Sequence, residues 1–118
     1  MTRNLLAVFV SGLLLVLWSL PAFPVVNVSG TWHASHMGAA MEVTINQNGH
    51  VISGVAHVHN PSGKTDTYHF TGGVEGNRIT AAHYSGHRFE GNINSSGQLV
   101  GVVRTKHGNK FSFVASRR

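Results

Sequence analysis

Met41-Glu42-Val43-Thr44-Ile45-Asn46-Gln47-Asn48-Gly49-His50-Val51-Ile52-Ser53-Gly54-Val55-Ala56 is the stretch whose reading decides the fold. On its first arm Met41, Val43 and Ile45 alternate with Glu42, Thr44 and Asn46; on its second, Ile52, Gly54 and Ala56 alternate with Ser53 and Val55. A period of two puts each apolar set on one face of a strand. Asn48-Gly49 suits a two-residue type I′ turn, because both central residues of that turn need positive φ. Folding about it sets Ile45 opposite Ile52, Val43 opposite Gly54 and Met41 opposite Ala56, and a one-residue slip would scatter that shared face.

The same test extends along the chain. A turn centred near Gly63 sets Val58 against Tyr68 and Ala56 against Phe70, and a Gly76-Asn77 turn sets Val74 against Ile79, with Glu75 facing Arg78 as an exposed turn-stabilising pair. A turn around Gly86 places His83 opposite Phe89 and Ala81 opposite Gly91. The Ser95-Ser96-Gly97 loop brings Ile93 to Leu99, and a turn around His107 brings Val103 to Phe111. Every hairpin keeps one apolar face, which begins at Trp32 and Ala34 and ends at Phe111, Phe113 and Ala115. Eight short strands left flat would have two open edges, and pairing the Trp32 strand with the Phe113 strand removes both. The expected fold is therefore all-β, an eight-stranded antiparallel meander closing into a small barrel. Inward Gly54, Gly91 and Gly101 let the strands coil tightly or leave room for a ligand.

The chain has 118 residues, enough for one domain. Arg3, the apolar run Leu5 to Leu17 and Ser19-Leu20-Pro21-Ala22 read as a secretory signal peptide over 1–22, followed by a short linker at 23–29 and the barrel domain at 30–118. The run is shorter than the ~20 residues that span a bilayer, so no stable membrane span is expected after cleavage, and the mature protein is expected to be secreted or periplasmic. There is no Cys, which excludes a disulfide framework and thiol chemistry. The formal charge is +5, and loss of Arg3 would leave about +4, a balance that attracts anionic surfaces. No specific nucleic-acid partner is expected, because the aromatic residues fall on the apolar face rather than among the cations.

Gly30-Thr31-Trp32, then Asn48-Gly49-His50-Val51-Ile52-Ser53-Gly54, then Tyr68-His69-Phe70-Thr71-Gly72 resembles the opening half of avidin-like proteins. It is similar also to the wider lipocalin-like group, in which Gly-x-Trp opens the first strand of an up-and-down barrel. The likeness runs from roughly Gly30 to Gly73 and implies the fold. It does not imply biotin: Ala34 and Ala39 stand near the positions where avidin-like proteins carry polar residues, and Trp32 is the only Trp outside the signal segment.

The sequence carries nine histidines. His57 and His59 share a strand face, and the expected hairpin places His69 opposite His57, with cross-strand neighbours ~5 Å apart. These three form a candidate transition-metal site for zinc, copper or nickel, which makes a histidine-rich metal binder the alternative reading of the chain. His83 points inward beside Phe70 and Phe89; haem ligation there is not expected. Glu42, Asp66, Glu75 and Glu90 are the only acids, with Asp66 expected in a loop. They form no acid-base pair, and no nucleophile elbow, phosphate loop or metalloprotease motif is present, so no enzymatic activity is expected. The function expected is a binding barrel that takes a small apolar molecule or a protein surface. Trp32, Tyr68, Phe70, His83, Phe89 and Phe111 would line its ligand cavity. Outward Val51, Val55, Val100, Val102 and Val114 also allow a partner contact or a structural homo-oligomer.

Overall fold

The computed structural model describes residues 25–118, and the expected signal peptide lies outside these residues. Eight strands follow one another: β1 (Gly30–His36), β2 (Ala39–Asn48), β3 (Val51–His59), β4 (Thr65–Glu75), β5 (Arg78–Ala82), β6 (Arg88–Ile93), β7 (Leu99–Arg104) and β8 (Lys110–Arg117). Each pairs antiparallel with the next, and β8 returns to β1 through Trp32↔Arg117 and His33↔Ser116, closing the barrel. The result is a closed, eight-stranded antiparallel up-and-down barrel, consistent with the fold that the avidin-like and lipocalin-like resemblance implies. Closure removes the unpaired strand edges that a flat meander would expose.

Turn chemistry sets the registers. Four connections share one design in which the first residue accepts the N–H of a Gly three positions on and donates to the carbonyl four positions on. They are Asn60-Pro61-Ser62-Gly63, His83-Tyr84-Ser85-Gly86, Asn94-Ser95-Ser96-Gly97 and Thr105-Lys106-His107-Gly108, with hydrogen bonds of 2.8 to 3.0 Å. Each is a three-residue loop whose Gly takes the positive φ of a bulge. Such a loop centres the hairpin one residue before its Gly. The last two are centred where expected, giving Ile93↔Leu99 and Val103↔Phe111.

The first two are not, because the expected hairpins were centred on the Gly itself. Tyr68 lies opposite Ala56 and Phe70 opposite Gly54, while Phe89 lies opposite Ala81 and Gly91 opposite Ile79, each a two-residue displacement. The Asn48-Gly49 hairpin shifts likewise: Gly49 alone takes positive φ and occupies the first central position, as a type II′ turn prefers. Val43 therefore meets Ala56 and Ile45 meets Gly54. A shift of two preserves the face of every side chain, so the inner face survives the corrections. Val74↔Ile79 and Glu75↔Arg78 are paired as expected. The ion pair at Arg78 is nevertheless with Glu90, at 2.9 Å, rather than with Glu75. Asp66 belongs to β4 and not to a loop, because the preceding turn ends at Lys64.

The inward glycines serve close approach between strands. A Cβ on Gly54 would strike the carbonyl of Thr44 and stand 2.7 Å from Cζ of Phe70, and one on Gly91 would strike Val100 O and stand 2.6 Å from Cζ of Phe89. Both rings lean over a glycine, so the wall coils tightly there instead of leaving a vacancy.

Candidate functional site: an apolar cavity open at one end

Successive hairpins send alternate turns to opposite ends of the barrel. The start of β1, the end of β8 and the turns after β2, β4 and β6 gather at one end, which is a sealed floor. Trp32 and Val28 are fully buried there, and Trp32 Nε1 donates to Val28 O at 3.0 Å. Gln47 clamps the chain that precedes β1: its Oε1 accepts Val28 N–H at 2.7 Å, and its Nε2 donates to Val26 O and to Gly49 O, both at 2.9 Å. Val26 N donates to Gly76 O, and the Arg117 guanidinium lies 4.4 Å over the Trp32 ring.

The other end is a mouth, rimmed by the Met37-Gly38 turn and by the turns after β3, β5 and β7. From it a cavity of about 420 Å³ runs down the barrel. Its walls are almost wholly apolar, and the small side chains of Ala56 on β3 and Ala81 on β5 leave room that larger residues would fill. Tyr68, Phe70, His83, Phe89 and Phe111 all line it. Trp32 does not; it lies in the floor, committed to Val28. Phe89 packs edge-on against Phe113 with ring centres 5.4 Å apart, and Phe111 stacks on His36 at 4.2 Å.

Polar groups converge at the mouth. Tyr68 meets His83 and His87 edge-on, with centroids 5.3 and 5.5 Å apart, and the two imidazoles lie 6.0 Å from each other. His83 and His87 are the first and last residues of the β5–β6 turn, four positions apart, so the three-residue loop brings them face to face. The Nδ1 of His83 accepts the Ser85 N–H at 3.2 Å, and that of His87 accepts the Lys106 N–H at 3.3 Å. His83 Nδ1 also lies 2.7 Å from Ser85 Oγ, so both imidazoles are anchored through Nδ1 at the rim of an apolar space. Burial holds the His87 pKa below the usual histidine value, and the neighbouring His83, Lys106 and His107 push it the same way. His87 and His36 were outside the expected lining. The signal for His87 was its place four residues after His83, across a turn ending in Gly.

The expected metal site does not form. Because the Asn60–Gly63 turn is centred on Ser62, β4 is displaced by two residues, so His69 lies opposite Val55 and His57 opposite Thr67. His57 Nδ1 is 3.2 Å from Thr67 Oγ1, and His59 Nδ1 is 2.9 Å from Thr65 Oγ1, each ring held by the threonine across from it. Among the described residues no group of three or more His, Cys, Asp or Glu is placed to hold a metal ion. The reading of the chain as a histidine-rich zinc or copper binder through His57, His59 and His69 is thereby overturned. Among the described residues no helix is long and apolar enough to cross a membrane. The chain matches no protein-family model, no curated protein and no solved structure.

Proposed function

We propose that the protein is an exported, secreted or periplasmic carrier that holds a small apolar molecule inside the barrel, and that it is not an enzyme. The observation that carries this reading is the cavity of about 420 Å³, sealed at the Trp32 floor and open at the opposite mouth. That volume falls in the range of ligand pockets, roughly 300–1,000 Å³, whose walls are apolar with a few polar groups that fix orientation. Here Phe70, Phe89 and Phe111 supply apolar wall, and Tyr68, His83 and His87 supply the polar end, so the ligand's own polar group would sit at the mouth. The carboxylates stand apart from one another: Asp66 is with Lys64 and Glu90 with Arg78, while Glu42 lies between His33 and His57 on the wall.

Titration with a neutral apolar fluorophore such as N-phenyl-1-naphthylamine tests the reading. One molecule per barrel should bind with micromolar or tighter affinity, and Ala56→Phe or Ala81→Phe should abolish uptake while circular dichroism retains the barrel. Equal uptake by the filled variants, or none by the native protein, would sink the carrier reading. Organic extraction of protein purified from its own host, followed by mass spectrometry, would then name the ligand.

A second reading, an interaction or oligomeric surface, draws on one observation: Val100 and Val114 are direct partners across β7 and β8, beside exposed Val102. Sedimentation velocity decides it, since Val114→Lys should dissolve any oligomer that uses this face.

A further inference from the structure

We propose that the mouth end of the barrel docks onto anionic lipid surfaces. The registers Arg88↔Arg104 and Arg104↔Lys110 place three cations directly side by side on β6, β7 and β8, next to the rim. Like charges in direct cross-strand contact repel. Nothing in the described residues offsets them, since the two ion pairs there are Lys64–Asp66 and Arg78–Glu90. Glu90, the next residue on the same face of β6, is thus already engaged by Arg78. Lys106 in the adjoining turn extends the row, and Lys64 lies on the rim beyond β4. Asp66, the carboxylate at this end, is held by Lys64 at 3.5 Å and by Asn60 Nδ2 at 2.9 Å.

The same end carries the two most exposed large apolar side chains, Tyr84 at 96% and Met37 at 88%. Each sits at the tip of a turn. Met37 is also the one non-glycine among the described residues with positive φ, at 49°, a conformation that a long side chain adopts at a cost. Apolar tips set among uncompensated cations are what an interfacial lipid contact needs: the tips enter the headgroup boundary and the cations meet anionic headgroups. A single-stranded nucleic acid would call for several aromatic rings along the row, and the row has none. Docking in this orientation points the cavity at the bilayer, and an apolar ligand could then pass between lipid and barrel without crossing water. The docking itself rests on the charges and the tips and stands whether or not the cavity is filled.

The experiment is cosedimentation of the protein, purified as its host releases it, with phosphatidylcholine vesicles and with vesicles holding about 30% phosphatidylglycerol, without added ligand. We expect partitioning onto the anionic vesicles at least about tenfold above that onto the neutral ones, weakened by salt as surface charge contacts are. Arg104→Glu with Lys110→Glu should remove most of that preference. Met37→Asn with Tyr84→Ser, which change no charge, should weaken binding while leaving its salt dependence, since Asn accepts the backbone of Met37 and both sites are solvent-exposed. Equal binding to both vesicle types, or an anionic preference untouched by the charge reversals, overturns the proposal. So does failure on vesicles combined with reversal-sensitive binding to heparin or single-stranded DNA, which would assign the row to a polyanion instead.

Discussion

The floor and the mouth are built from the same hairpins and differ in what the hairpins hold. Every one of the largest fully buried side chains (Trp32, Ile52, Ile79, Val28 and Val74) belongs to the floor half. Hydrogen bonds from Gln47 and Trp32 fasten the segment before β1 beneath them. At the mouth the rings of Tyr68, His83, His87 and Phe111 are only half-buried, and the surrounding charge is mostly positive. A small barrel of this size has one core to spend, and here it lies at one end, which leaves the other end free to stay hollow.

The largest effect that separates the ends is expected at Trp32. Trp32→Ala should cost about 3–5 kcal/mol in urea unfolding, whereas Tyr84→Ala should stay within about 0.5 kcal/mol. Comparable losses would show that the floor does not dominate stability. Next comes the wall between them: Gly54→Ala should destabilise by about 1–3 kcal/mol, since its methyl group meets Thr44 O and the Phe70 ring with no room to relax. A neutral result would mean that β2 and β3 are not so closely coiled. Gln47→Leu removes three hydrogen bonds, of which the one to Gly49 is solvent-exposed. About 1–2 kcal/mol should be lost, together with faster hydrogen exchange at the Val28 amide.

The smallest effect belongs to the mouth and concerns pH. The folded-state pKa of His87 is lowered, so between the unfolded value near 6.5 and the folded value the unfolded chain binds the proton and the folded chain does not. Stability should therefore fall as pH drops through that window and level off below the folded pKa. His87→Asn should reduce the slope of midpoint against pH, and a slope unchanged in that variant would assign it to other groups.

Much of this architecture was legible in the residues. Alternation and Gly-bearing turns sufficed for strand number, faces and closure, because a two-residue error in register leaves each side chain on its own face. Position along the barrel was less legible for the same reason. The metal reading of His57 and His69 depended on direct opposition, which one misplaced turn centre destroys. Reading Asn60-Pro61-Ser62-Gly63 and His83-Tyr84-Ser85-Gly86 by the same rule as Asn94-Ser95-Ser96-Gly97 would have placed them correctly. The burial of Val28 was hidden, since nothing in the alternation that starts at Gly30 shows that Trp32 Nε1 and Gln47 will reach back for it. Within the cavity, period two placed Tyr68, Phe70 and Phe89 inside but could not place Trp32 at the floor, which is a matter of height along the barrel axis.

The return of β8 to β1 bears on how fast the protein folds. Seven pairings join neighbours along the chain, and each hairpin can form as soon as its two strands exist. The eighth joins Trp32 to Arg117, near the opposite ends of the described chain. Closing so long a loop costs more chain entropy than closing any single hairpin and contributes the contacts of greatest sequence separation. The closing seam should therefore be the last part of the barrel to gain protection in a pulse-labelling refolding experiment, and until it forms both edge strands stay open to chaperones or to other copies of the chain.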